Sequence, residues 1–434
     1  MKKILIIPFL ILLLCSSCRK EVPLTYEEVT PAMARDSLYD LMNEVYYWYN
    51  LMPSVTKEDF DDPYQLMDTL RYKPLDRWSF VADYDEFNAE MLGEFVGHGF
   101  RIGVDDAGNA RIAMIYAESP LHKDYGVNRG WIVKEINDKE IAPVLISGDA
   151  AAYTDIIGPS TAGISNKFLF QNPDNGEYVT INSQKSKFTI NTVLLSDTLN
   201  LSSGKTGHLV FESFITPSVQ ELVTAFAFFK VNDVKDLILD LRYNPGGYLD
   251  IAQILASFIA GDAMAGTTFA KLQYNDKYQS KNTTFSYIPT PSPLDLTRLV
   301  VITTRSTASA SEAVMNGLTG SNINVIGIGD LTNGKPTGMD GRSVGKKYWF
   351  LPVTFKMVNA KNQGDYFEGI APAKFVLDDI TRDFGDRQEL CLKEAIYYLE
   401  NGSLSTKGSS DFIRYPRIPE KPSWIENGLL LNTR

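Results

Sequence analysis

The stretch Leu237-Ile238-Leu239-Asp240-Leu241-Arg242-Tyr243-Asn244-Pro245-Gly246-Gly247 decides the fold. Its first half is apolar on successive positions, the pattern of a sheet strand buried on both faces. Asn244-Pro245-Gly246-Gly247 then makes a sharp turn. A helix over about Leu249 to Ile259 follows, with Ile251, Ile254, Leu255, Phe258 and Ile259 on one side. Strand, turn and helix in this order make one α/β unit. Glycines after a strand leave backbone N–H groups free and unhindered, so this turn is able to form an oxyanion hole. A purely structural strand–helix turn reads the same way.

The pattern extends outward on both sides. The chain reads as α/β from Thr206, with Leu209-Val210-Phe211 as an earlier strand. Leu299 to Thr303 is a third buried strand with a helix from about Ser311, and Asn324 to Ile328 is a fourth. Residues 262–297 are polar and rich in Thr and Pro, and are expected to be an irregular excursion. Residues 386–399 make a closing amphipathic helix, and the tail 401–434 is expected to be irregular.

Two turns in this half carry residues with chemical potential. Ser306-Thr307-Ala308-Ser309-Ala310-Ser311-Glu312 joins the third strand to its helix. A serine there stands at the sheet edge, near the positive end of the helix. Ser309-x-x-Glu312 is equally a capping box with a structural role only. After the fourth strand, Gly329-Asp330-Leu331-Thr332-Asn333-Gly334-Lys335-Pro336 nearly matches a phosphate-binding loop. A nucleotide hydrolase is therefore a competing reading. It fails at Pro336, which stands where a Ser or Thr hydroxyl should hold Mg²⁺ and which lacks an N–H for the anion.

The N-terminal half is built differently. Leu38, Leu41, Met42, Val45, Trp48 and Tyr49 give residues 34–50 the apolar face of a helix. From Val96 short strands and turns begin with Gly97-His98-Gly99-Phe100. Arg111 to Ile115, Ser119-Pro120-Leu121 and Gly130 to Ile141 follow, with a turn at Asn137-Asp138. This order resembles a PDZ domain over residues 95–187. The resemblance implies that Gly97, Gly99 and Phe100 belong to a loop whose bare amides capture the C-terminal carboxylate of a peptide.

The first residues read as an address. Lys2 and Lys3 precede an apolar run from Ile4 to Cys15, too short to span the ~30 Å hydrocarbon layer as a helix. Ser16-Ser17-Cys18 follows and resembles a bacterial lipobox, although Cys15 stands where Leu is usual. The resemblance implies a signal peptide over residues 1–17 and lipidation of Cys18. Loss of Lys2 and Lys3 would move the formal charge from −11 to −13.

Composition narrows the function further. The 434 residues, 44% of them apolar, suggest two or three domains with real cores. Acidic residues outnumber basic ones by 53 to 42, which argues against a nucleic-acid partner. Three Cys cannot staple a chain this long, and three scattered His without His-Glu-x-x-His argue against a metal site. No cofactor is expected.

Taken together, these segments resemble the S41 serine peptidases, the tail-specific or C-terminal processing proteases. Residues 237–247 match that family's signature, Thr307 to Glu312 its nucleophile segment and Gly334-Lys335 its catalytic lysine. Asp76-Arg77-Trp78-Ser79-Phe80 and Phe367-Glu368-Gly369-Ile370-Ala371-Pro372 match two further elements, in the family's order. The resemblance implies a multidomain α+β chain. An N-terminal helical region (18–90) and a PDZ-like domain (95–187) would precede an α/β, ClpP/crotonase-like catalytic domain (188–400). It implies Ser309 as nucleophile and Lys335 as general base. A buried lysine loses its charge more readily, so no histidine is needed. The amide of Ala310 would be one oxyanion donor and Gly246 the second, with Gly247 also possible. His98 and His122 fall in the PDZ-like region, and His208 reads as structural. Two features depart from the family: Met339 stands where a lysine-orienting Gln is common, with Asp340 beside it, and the Ser309–Lys335 spacing is about one residue longer. The expected partners are proteins or peptides with accessible C-termini, and a cell-envelope membrane, the outer one by expectation, reached through the lipid. A catalytically impaired peptide-binding lipoprotein is the alternative.

Overall fold

The computed structural model describes residues 29–406 and 428–432. The leader with Cys18 lies outside them, as does most of the segment after Asn401. Helix Pro31–Val45 starts on Thr30, whose side chain accepts the Met33 N–H, with Pro31 at the first helical position. It buries Ala34, Leu38, Leu41, Met42 and Val45. It ends short of the expected residue 50 because Tyr47 N–H turns away to the carbonyl of Val353. Trp48 is buried beyond the helix, ahead of a short 3₁₀ turn at Tyr49–Leu51.

Residues 100–184 form an antiparallel sheet in the order Phe100–Val104, Ala110–Ile115, Ile132–Ile136, Ser165–Gln171, Tyr178–Gln184. It has its own apolar core, including Ile112, Val133, Ile136, Phe168 and Phe170. The Asn137-Asp138 turn has positive φ at both residues, as a tight two-residue hairpin requires. A ribbon of Glu94–Gly97 against Ser186–Thr189 leads into and out of this unit.

The C-terminal half is built on a central sheet. Its order is Val193–Leu201, Gly204–Phe211, Asp236–Asp240, Arg298–Thr303, Asn324–Gly329, Lys374–Phe375. The first pair is antiparallel and the remaining pairings are parallel. Successive residues of one strand enter opposite cores: Leu237 and Leu239 join helices Leu249–Ala260 and Ala310–Gly320, while Ile238 joins helix Leu390–Asn401. That two-sided burial explains the unbroken apolar run. Helix Ser218–Val231, not foreseen in the sequence, makes the first crossover.

A second sheet corrects two expectations. Its order is Gly246–Tyr248, Leu429–Leu431, Thr337–Met339, Val353–Val358, Thr268–Tyr274, Thr283–Ser286. The expected irregular excursion 262–297 therefore contains two strands. They were hidden because Lys271 and Gln273 keep polar faces beside buried Phe269, Ala270 and Leu272. The tail is not wholly irregular either: Leu429–Leu431 is a strand between the glycine turn and the strand after Lys335.

Candidate active site

The three turns singled out by sequence all leave the C-terminal ends of parallel strands, where open α/β sheets place their sites. Ser309 is the residue before helix Ala310–Gly320, with φ 60° and ψ −107°. Positive φ at a side-chain-bearing residue is strained and persists only when its surroundings enforce it. Ser309 is fully buried, and its Oγ has no hydrogen-bond partner among the described residues. The Ala310 N–H opens the helix and has no acceptor within it.

The glycine turn packs directly against this serine. A Cβ on Gly246 would meet Ser309 Cβ and Ala310 N at 3.0 Å. The two glycine amides differ in use. Gly246 N–H donates to Asn244 Oδ1 at 2.9 Å, so the first choice for the second oxyanion donor is already engaged. The Gly246 carbonyl accepts from Phe214, and Tyr248 N–H donates back to Phe214. By the alternation of a strand, Gly247 N–H points the other way, toward Leu429–Leu431. A side chain at Gly247 would meet Phe214 O at 2.1 Å, at φ +141°.

Lys335 is fully buried, and this burial brings its ammonium down to about 7, against opposing pulls from Asp76 and Glu312. Its Nζ donates to the Gly428 carbonyl at 2.7 Å and lies 3.8 Å from Met339 Sδ. Lys335 and Ser309 share no hydrogen bond. Asp340 is turned away to Thr354, Tyr274 and Asn432, and so does not take the place of the orienting Gln. The Trp78 ring stands 6.0 Å from Nζ and 6.2 Å from Phe367, so the Asp76–Phe80 and Phe367–Pro372 segments roof the amine. Asp76 shapes this roof by accepting from Trp78 N, Ser79 N, Ser79 Oγ and Tyr46 OH.

Glu312 does more than cap its helix. Fully buried, it accepts from Ser309 N (2.7 Å) and Lys335 N (2.9 Å) on one oxygen, and from Gly334 N (2.6 Å) and Thr332 Oγ1 (2.5 Å) on the other. Burial pushes its carboxyl up despite these donors. One carboxylate thus fastens the serine turn to the lysine turn. It also takes the amides that a phosphate would need, which removes the nucleotide-loop reading. The Ser-x-x-Glu spacing announced this residue, but nothing in the sequence announced its second pair of donors.

Gly97, His98, Gly99 and Phe100 line a separate cavity of about 180 Å³ with Tyr153, Ile157 and Lys185. Lys185 Nζ donates to the carbonyls of Ile157, Gly158 and Pro159, which uses all three of its protons. His98 is held by Asn166 and Ser183, and burial keeps it neutral, down to about 4. His122 bonds the Val127 carbonyl. His208 is buried in strand Gly204–Phe211, its ring nitrogens unpartnered among the described residues. None of the three bonds to Ser309. Among the described residues, no group of His, Cys, Asp or Glu could hold a metal ion.

A strained, buried serine, a buried lysine whose ammonium is brought down to about 7, and two glycines thus meet at one edge of the α/β sheet. Residues 205–374 match the model of peptidase family S41, and residues 34–80 match its N-terminal domain. The chain belongs to peptidase family S41, whose members are serine-type peptidases. The carboxy-terminal processing protease CtpB of Bacillus subtilis (strain 168) is 22% identical over 288 residues, 66% of this chain and 56% of that protein. The match therefore spans little more than half of CtpB. A crystal structure from Bacteroides fragilis NCTC 9343, assigned to the S41 proteases, has the same fold. It superposes with a TM-score of 0.69 at 21% identity over 85% of this chain and 97% of that one.

Proposed function

We propose that this chain is a serine endopeptidase acting on extracytoplasmic proteins, with Ser309 as nucleophile and Lys335 as general base. The observation that carries the reading is the fully buried lysine, lowered to about 7, tied through one carboxylate to a strained serine whose Oγ has no partner among the described residues. Neutral Lys335 takes the Ser309 proton as Oγ attacks the scissile carbonyl carbon. The oxyanion is met by the Ala310 and Gly247 amides, each worth ~2.7–4 kcal/mol in such sites. Lys335 then protonates the departing amine, and water repeats the cycle on the acyl-serine.

The cavity at Gly97–Phe100 supports capture of peptide C-termini by the PDZ-like region. A lipid on Cys18 would hold the protein to the cell-envelope membrane, and we favour the outer one. Among the described residues, no helix is long and apolar enough to cross it. The test is hydrolysis of an unfolded tailed protein by the chain without residues 1–17. Wild type should cut it, while Ser309→Ala and Lys335→Ala should not. Turnover equal to wild type in both variants would refute the dyad. One observation favours the second reading, an impaired peptide-binding lipoprotein: the Met339 thioether is a weak acceptor for orienting the amine. Tight peptide binding without any cleavage by wild type would establish it.

A further inference from the structure

Strand Leu429–Leu431 lies in the slot between the glycine turn and the strand that follows Lys335. Gly246 stands opposite Leu429, Gly247 opposite Leu430 and Tyr248 opposite Leu431. On the other edge Met339 pairs with Leu431, and Asn432 N–H donates to the Met339 carbonyl. Leu429 N–H donates to the Pro245 carbonyl at 2.9 Å. All three leucines are buried. Gly428 sits over the reacting groups. Its carbonyl holds Lys335 Nζ, and at φ +102° a Cβ on it would meet Ala308 Cβ at 2.9 Å. Past the leucines, Asn432 Nδ2 donates to Asp340 Oδ1 and Tyr274 OH, in a cavity of about 450 Å³.

We infer that residues 428–432 occupy the place of a substrate strand, so that the intact chain is latent and the slot takes extended peptides of glycine, apolar residues and a hydrogen-bond-donating side chain. This rests on the Ser309–Lys335 reading for its consequence, though not for its geometry. Three features agree with it. The segment covers the Gly247 amide that the oxyanion needs. It holds the amine that should take the serine proton, while Ser309 Oγ has no partner among the described residues. It also binds by strand addition, the way a sheet edge receives a foreign peptide. As part of the same chain it competes at a high effective concentration, so latency needs no tight contact.

Two variants and one peptide test this. The chain lacking residues 428–434, and the full chain carrying Leu430→Asp, should each turn over an unfolded protein faster, by roughly 10-fold or more if the tethered segment competes as such tethers do. A peptide of residues 428–432 added to the shortened chain should restore inhibition. Binding is measured separately, by fluorescence anisotropy of the labelled peptide in the Ser309→Ala background. Binding to the shortened chain but not to the intact one supports the slot assignment even if no turnover is seen, in which case the peptidase reading alone fails. No binding to the shortened chain, with its melting transition intact, overturns the inference. So does equal binding to both.

Discussion

Lys335 is destabilised by its own surroundings, and that gives it a pH signature. Its value of about 7 lies below the ordinary ~10.5, so the unfolded chain binds more protons between these values. Stability therefore rises with pH across that window, and the full penalty, roughly 5 kcal/mol, applies below pH 7. Lys335→Met should raise the melting temperature at pH 6 and lose that advantage by pH 10, measured by calorimetry. Lys335→Arg should be inactive at every pH, because a guanidinium stays charged. Glu312 acts on the same group from behind. Glu312→Gln keeps one accepting oxygen but turns an NH₂ toward at least one backbone N–H, that of Gly334 in the better orientation, a loss of about 2 kcal/mol. Because the Glu312 charge favours the lysine cation, its removal should also move the rising limb of kcat/KM to lower pH. A merely structural Glu312 would leave that limb in place. At this scale the sequence named the serine and lysine through the family's motifs. It could not name Trp78 and Asp76 as the roof, because that contact closes a gap of more than 250 positions.

At the scale of elements, the buried strands were legible and the half-exposed ones were not. Leu237–Leu241 announces itself because both faces are covered. Thr268–Tyr274 reads as loop because a strand with one solvated face has few apolar residues to show. Leu429–Leu431 was invisible for another reason: its partners, Gly246–Tyr248, lie about 180 positions earlier, and no local pattern reports such a pairing. The glycine turn is the element least tolerant of change. Gly247→Ala would drive a methyl to 2.1 Å from the Phe214 carbonyl in a backbone region that alanine avoids. We expect a loss of ~2 kcal/mol or more, read as a lower urea midpoint, together with lost turnover. Among the described residues no other strand flanks the slot on its Gly246 side, so relief by sliding would disturb the tail strand as well.

Across the whole molecule, a buried charge network ties the units together. Arg242, from the stretch that decides the fold, bonds Asp240 bidentately and reaches Asp378 and Glu389. Arg129 of the 100–184 unit bonds the same Asp378 and the hydroxyl of Tyr243. Burial pushes the Asp378 and Glu389 carboxyls up, but the guanidiniums outweigh it and hold both below the ordinary range. Their contribution is present above the unfolded carboxylate pKa and is lost as pH falls through the folded values. Arg242→Ala would leave Asp240 and Glu389, both fully buried, without their guanidinium, while Asp378 keeps Arg129, and should cost ~3–5 kcal/mol near pH 7. In that variant stability should fall less steeply from pH 5 to pH 3 than in wild type, measured by urea denaturation at each pH. The arginine was visible in the sequence as part of a motif. Its partners at 129, 378 and 389 were not, since only the fold brings them to one point.

The pairing of Ser309 with Lys335 is tested most directly by the rate at which a small fluorophosphonate labels Ser309 as a function of pH, in the chain lacking residues 428–434 so that the tail strand does not cover the site. The rate should rise through a midpoint near 7 and vanish in Lys335→Ala. A pH-independent rate, or unchanged labelling in Lys335→Ala, would contradict the pairing.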